Sequence, residues 1–106
     1  MSNVLSLSDQ EFLKKVMRRF NIKAIAVQWS DYSRTRHPDI WCFPYDNPPK
    51  IVVTAEWKRQ TQGERQKRLL HECLHIVGME HDEKIGYSTY PDRDIYSRRL
   101  YATLVK

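Results

Sequence analysis

Apolar residues recur along this chain with two different periods, and the switches between them mark out the elements. Phe12, Leu13, Val16, Met17 and Phe20 repeat at helical spacing. Ser8-Asp9-Gln10-Glu11 before them has the form of a capping box, with Leu7 and Phe12 placed as a hydrophobic staple. A helix over about 9–20 is predicted. In 22–29, Ile25, Val27 and Trp29 alternate with polar neighbours, the period of a strand. The polar stretch 31–39, carrying Pro38, reads as a loop. A short aromatic strand over 40–45 follows, and Pro44 restricts it to an edge or an end. Asn47-Pro48-Pro49 reads as a turn, and 51–57 as a third strand.

Thr61-Gln62-Gly63-Glu64 forms a second capping box and opens a helix expected to run to about Val77. At about 100° per residue, with Leu69 as zero, Cys73, Val77, Leu70 and Leu74 fall between about 40° and 140° and make one apolar stripe. His71, His75 and Glu72 fall at about 200°, 240° and 300°, a polar trio expected to face away from that stripe. Gly78 stands where a helix ends on a left-handed residue. A last helix over 92–105 has Ile95, Tyr96, Leu100, Tyr101 and Leu104 on its apolar side and Arg98-Arg99 toward solvent. Neither internal repeats nor low-complexity tracts interrupt this order. The expected architecture is therefore a single α+β domain over 1–106: a short mixed sheet of three to four strands packed on an N-terminal helix and the histidine-bearing helix, closed by a C-terminal helix.

Composition narrows the class. A chain of 106 residues, 41% hydrophobic and 29% charged, suits one globular domain with a core and is too short for two. Residues 1–9 lack a basic start followed by an apolar run, and no apolar run reaches the roughly 18 residues of a membrane span, so a soluble, cytoplasmic, monomeric protein without a membrane partner is expected. Cys42 and Cys73 are expected to stay reduced, with Cys73 a small core side chain. Lys plus Arg outnumber Asp plus Glu by 18 to 13, a net charge of +5. The excess is spread over Lys14, Lys15, Arg18 and Arg19, over Lys58 to Arg68, and over Arg93, Arg98 and Arg99, as expected of solvated helix faces.

The chemistry is concentrated in His71-Glu72-Cys73-Leu74-His75-Ile76-Val77-Gly78-Met79-Glu80-His81, which reads H-E-x-x-H-x-x-G-x-x-H. With this composition a chance match arises on the order of once in 100,000 chains. Histidines four apart project from one helix face, the glycine turns the chain back, and His81 completes a tripod for Zn²⁺. Three neutral imidazoles leave the fourth tetrahedral position to water, the arrangement of a catalytic site. Glu72, beside the metal, is the natural general base.

On these residues the chain resembles the metzincin clan of zinc endopeptidases, in particular its small matrixin-like members. The resemblance covers the motif closely and the preceding helix and small sheet more loosely. It implies a zincin-like fold, a single catalytic zinc on His71, His75 and His81, Glu72 as catalytic base, and a polypeptide substrate laid along a sheet edge, for which the strands over 40–45 and 51–57 are candidates. The clan's methionine turn beneath the metal corresponds to Tyr87-Ser88-Thr89-Tyr90-Pro91, with Thr89 in the methionine's place. Tyr90 or Tyr87 would be an additional ligand or an oxyanion donor.

The same stretch is similar to a second family, the bacterial three-histidine endoribonucleases that mature ribosomal RNA, whose pattern is H-G-x-L-H-x-x-G-Y-D-H. Asp39-Ile40-Trp41-Cys42-Phe43-Pro44 is also similar to that family's strand ending in Ser-Phe-Pro. Under that reading nucleic acid is the substrate, Lys58, Arg59, Arg65, Lys67 and Arg68 contact phosphates, and Arg34 or Arg36 binds the backbone. Glu72 separates the two, because a carboxylate there serves amide hydrolysis and repels a phosphate. A zinc-binding module without catalysis is the third reading.

Overall fold

The computed structural model describes residues 4–31, 39–78 and 95–105, with the side chains of 95–98 left aside. The expected residues His81, Tyr87, Thr89, Tyr90, Arg34 and Arg36 lie outside the described residues. Within them the order is α1 (Leu7–Phe20), β1 (Ala26–Trp29), β2 (Ile40–Phe43), β3 (Lys50–Val53), α2 (Ala55–Lys58), α3 (Gln62–Ile76) and α4 (Ile95–Leu104). It is an α+β domain built on a three-stranded mixed sheet, as the coarse class anticipates.

The first helix begins two residues earlier than its sequence suggests. Ser6, not Ser8, is the N-cap, its hydroxyl accepting from the Asp9 amide at 3.3 Å. Leu7 is left 75% exposed, so the expected staple is not made, and Leu5 enters the core instead. A tertiary contact selects this frame. Asp9 is buried and turns its carboxylate to α3, accepting from Arg65 Nε at 2.8 Å and from Gln66 Nε2 at 3.2 Å. The helix ends at Asn21, whose φ of 56° is the left-handed cap, with the Ile22 amide donating to the Met17 carbonyl at 2.8 Å.

Strand order in the sheet is β1-β3-β2, with β1 parallel and β2 antiparallel to β3. After Lys50 the central strand is apolar without alternation, and Ile51, Val52 and Val53 are all buried, with a strand paired on either side. The expected strand over 51–57 stops at Val53. Thr54 turns the chain, and Ala55–Lys58 forms a helical turn that drops Trp57 into the core, where its indole N–H donates to the Arg65 carbonyl at 3.2 Å. β1 is likewise shorter than expected, because 22–25 lead the chain from the α1 cap to the sheet. Pro44 follows directly on β2, an edge strand, as its missing N–H requires.

The third helix follows its sequence closely. Thr61 caps it, accepting from the Glu64 amide at 3.2 Å. Leu69, Leu70, Cys73 and Leu74 are buried against Phe12, Leu13 and Val16 of α1, Ile40, Ile51 and Val53 of the sheet, and Leu100 of α4. Among the described residues no helix is long and apolar enough to cross a membrane.

Candidate metal centre

Helix α3 presents its chemistry at its C-terminal end. His71 and His75, one turn apart, bring their Nε2 atoms to 3.0 Å, with ring centroids 4.7 Å apart and planes 78° from parallel. Two nitrogens bound to one tetrahedral zinc at 2.0–2.1 Å stand roughly 3.3 Å apart. The imidazoles therefore already hold nearly the spacing the ion demands, and their donor atoms converge rather than splay. Ligating atoms of His71, Glu72 and His75 all lie within 4.8 Å of one another. The histidines are half-buried, which leaves them accessible to an ion from solvent. Gly78, with φ of 102°, ends the helix beyond them, its amide donating to the His75 carbonyl at 3.0 Å. An L side chain at that φ would be strained, so glycine is required for the chain to leave the helix there.

Glu72 departs from the expected polar face. It is only 6% exposed, whereas the helical wheel places all three polar residues away from the core. The reason is β2. At about 300° on the wheel Glu72 borders Leu69, and the edge strand packs over that side of α3. Cys42 of β2 meets the carboxylate there as a hydrogen-bond partner, its thiol donating. Burial is the main force on Glu72 and raises its pKa to about 8. The Cys42 thiol and the charge of Arg68 pull it down, and Asp39 pushes it up. Burial together with the Glu72 charge raises the Cys42 thiol to about 12, so it remains a protonated donor at neutral pH. Cys73 is fully buried in the core, and both cysteines are free, as anticipated.

Asp39 and Arg68 complete the cluster. Arg68 lies one turn before Glu72 on α3, with Nε 3.3 Å from Asp39 Oδ2 and Nη1 donating to Oδ1 at 3.4 Å. Gln60 Nε2 also donates to Oδ2, at 2.5 Å. Asp39 immediately precedes β2, and its carbonyl accepts from the Thr54 amide at 3.1 Å and from the Thr54 hydroxyl at 2.8 Å. Asp39 is not among the site residues the sequence suggests, and Arg68, a phosphate contact under the endoribonuclease resemblance, is here paired with a carboxylate. The available signal was its spacing, because Arg68, His71, Glu72 and His75 fall at i, i+3, i+4 and i+7 of one helix.

The aromatic residues of the strand expected over 40–45 are unequally buried. Trp41 is half-buried, while Phe43 is 43% and Tyr45 92% exposed. The Lys50 ammonium lies 5.1 Å from the Phe43 ring centroid. No known protein family matches the chain, and no curated protein or solved structure matches it either.

Proposed function

We propose that the protein is a zinc-dependent endopeptidase, with His71 and His75 as two ligands, His81 as the third and Glu72 as general base. One observation carries the reading: a buried carboxylate sits against two converging imidazoles on the same helix. Zinc held by these residues supplies Lewis acidity, lowering the pKa of water toward about 7 and polarising a substrate carbonyl. Everything else falls to the chain itself. Glu72 takes a proton from the attacking water and returns it to the departing amine. The Cys42 thiol serves as a hydrogen-bond partner of the carboxylate.

Support for a polypeptide substrate comes from β2. Among the described residues it is an antiparallel edge strand beside the metal-bearing helix, and an extended peptide adds to such an edge through main-chain hydrogen bonds. An RNA substrate would bring a phosphate toward the Glu72 carboxylate, and Arg68, the nearest cation of the basic set, is occupied by Asp39.

The test is direct. Zinc-loaded protein is incubated with a peptide library and with structured RNA, each with and without chelator. Expected is chelator-sensitive peptide cleavage, reduced by roughly 10²–10⁴ in Glu72→Ala while zinc is still bound. Cleavage of RNA alone, or undiminished proteolysis by Glu72→Ala, overturns the proposal.

A further inference from the structure

Arg68 presents a difficulty for a cation site. It occupies the same face of α3 as His71, Glu72 and His75, one turn toward the N-terminus, and a guanidinium does not give up its charge. Left uncompensated, it would oppose a divalent ion a turn away. Its compensation comes from outside the helix, at Asp39. That carboxylate is 14% exposed against 42% for the Arg68 side chain, so the acid is the fixed member and the arginine the adaptable one. Gln60 holds the carboxylate and Thr54 holds the backbone behind it.

We propose that Asp39 is a positioning residue of the metal centre: pinned by Gln60 and Thr54, it neutralises and turns aside Arg68, so that the face carrying His71, Glu72 and His75 accepts a divalent cation. This rests on the metal-centre reading given above, though not on the identity of the substrate. Asp39 opens the edge strand and Arg68 rides on the histidine helix, so the same pair also ties β2 to α3 beside Glu72.

Zinc affinity, measured on the full chain by competition with a chromophoric chelator, tests the proposal without any assay of turnover. Four proteins are compared: the unaltered chain, Asp39→Asn, Arg68→Gln and the double variant. Asparagine keeps an oxygen for Gln60 while removing the charge and the second acceptor that faces Arg68. Expected is a loss of roughly tenfold or more in zinc affinity for Asp39→Asn, the scale of an outer-shell change at a metal site. Arg68→Gln leaves Asp39 uncompensated and tightens zinc severalfold. The double variant returns to within about threefold of the unaltered chain, since neither charge then remains. A purely structural salt bridge gives the opposite pattern, with the double variant no better than Asp39→Asn, and that result overturns the proposal, as does unchanged affinity in Asp39→Asn. Should Asp39→Asn lose its far-ultraviolet helical signal, Arg68→Gln decides: tightening supports the proposal, and its absence overturns it. An unaltered chain that binds no zinc removes the metal centre itself, an outcome separate from one in which zinc binds and Asp39→Asn leaves it untouched.

Discussion

Helix α3 carries two arginines, each paired with an aspartate from elsewhere in the chain, and the pairs are built to different standards. Arg65 meets Asp9 at 2.8 Å, the aspartate is 1% exposed, Gln66 takes its second oxygen, and Arg65 Nη1 reaches the Gln60 carbonyl at 2.7 Å. That pair is fully satisfied and locks α1 to α3. Arg68 meets Asp39 at 3.3 Å, keeps two-fifths of its side chain in solvent, and shares its surroundings with a third ionisable group, Glu72. Among the described residues Arg68 Nε is also left without a hydrogen bond, so the less complete pairing lies at the end of the helix where the two histidines converge. Where a protein leaves charges imperfectly matched is a sound place to look for its chemistry.

Three measurements press on that contrast, in descending order of effect. Asp9→Ala leaves Arg65 buried without its partner, and a loss of about 3–5 kcal/mol in unfolding free energy is expected from urea titrations. Zinc affinity of the remaining folded protein should not change. A cost below about 1 kcal/mol would make the Asp9 pair no better than a surface bridge, and the comparison would fail.

Next comes the dependence of stability on pH. Glu72 has a folded pKa raised from 4.5 to about 8, so its protonated form suits burial and its ionised form does not. The stability it contributes is fully present below about pH 4.5 and is lost as pH rises through about 8. In metal-free protein, Glu72→Gln should match the unaltered chain near pH 4.5 and exceed it by on the order of 2–4 kcal/mol above pH 8. Parallel stability curves for the two proteins would show that the carboxylate is not desolvated as described.

The smallest effect concerns the thiol. Cys42→Val preserves shape and removes the donor to Glu72, and kcat for peptide cleavage should fall roughly fivefold, the worth of about 1 kcal/mol in a hydrogen bond. Cys42→Ser, which keeps a donor, should stay within about twofold. Equal losses in both variants would assign Cys42 to packing alone.

Local chemistry made part of this legible in advance, and tertiary contacts decided the rest. Thr61 could be read as a cap because its partner, the Glu64 amide, is three residues away. Ser6 and Ser8 are locally equivalent, and the choice between them was made by Arg65, far along the chain, drawing Asp9 into the interior. The same holds at the site. The convergence of His71 and His75 follows from helical spacing, but the burial of Glu72 depends on β2 crossing that side of the helix, which a wheel drawn for one helix cannot contain. Asp39 looked like the end of a polar loop because its two partners, Gln60 and Arg68, are brought to it only by the sheet and the turn at Thr54. The strand over 51–57 was overextended because Trp57 has the composition of a strand residue and the position of a core plug.

The strand order has a kinetic consequence. Among the described residues β1 pairs with β3 alone, after the chain has already laid down β2, while β2 meets β3 across one short turn. Asp39, Cys42, Arg68, His71, Glu72 and His75 all belong to the stretch that forms the β2–β3 pair and the helix following it. The Asp39–Arg68 contact closes 29 residues and the β1–β3 pairing about 24, whereas the Asp9–Arg65 contact that docks α1 closes 56. Hydrogen exchange should accordingly find the sheet and α3 opening last, with α1 loosening before them.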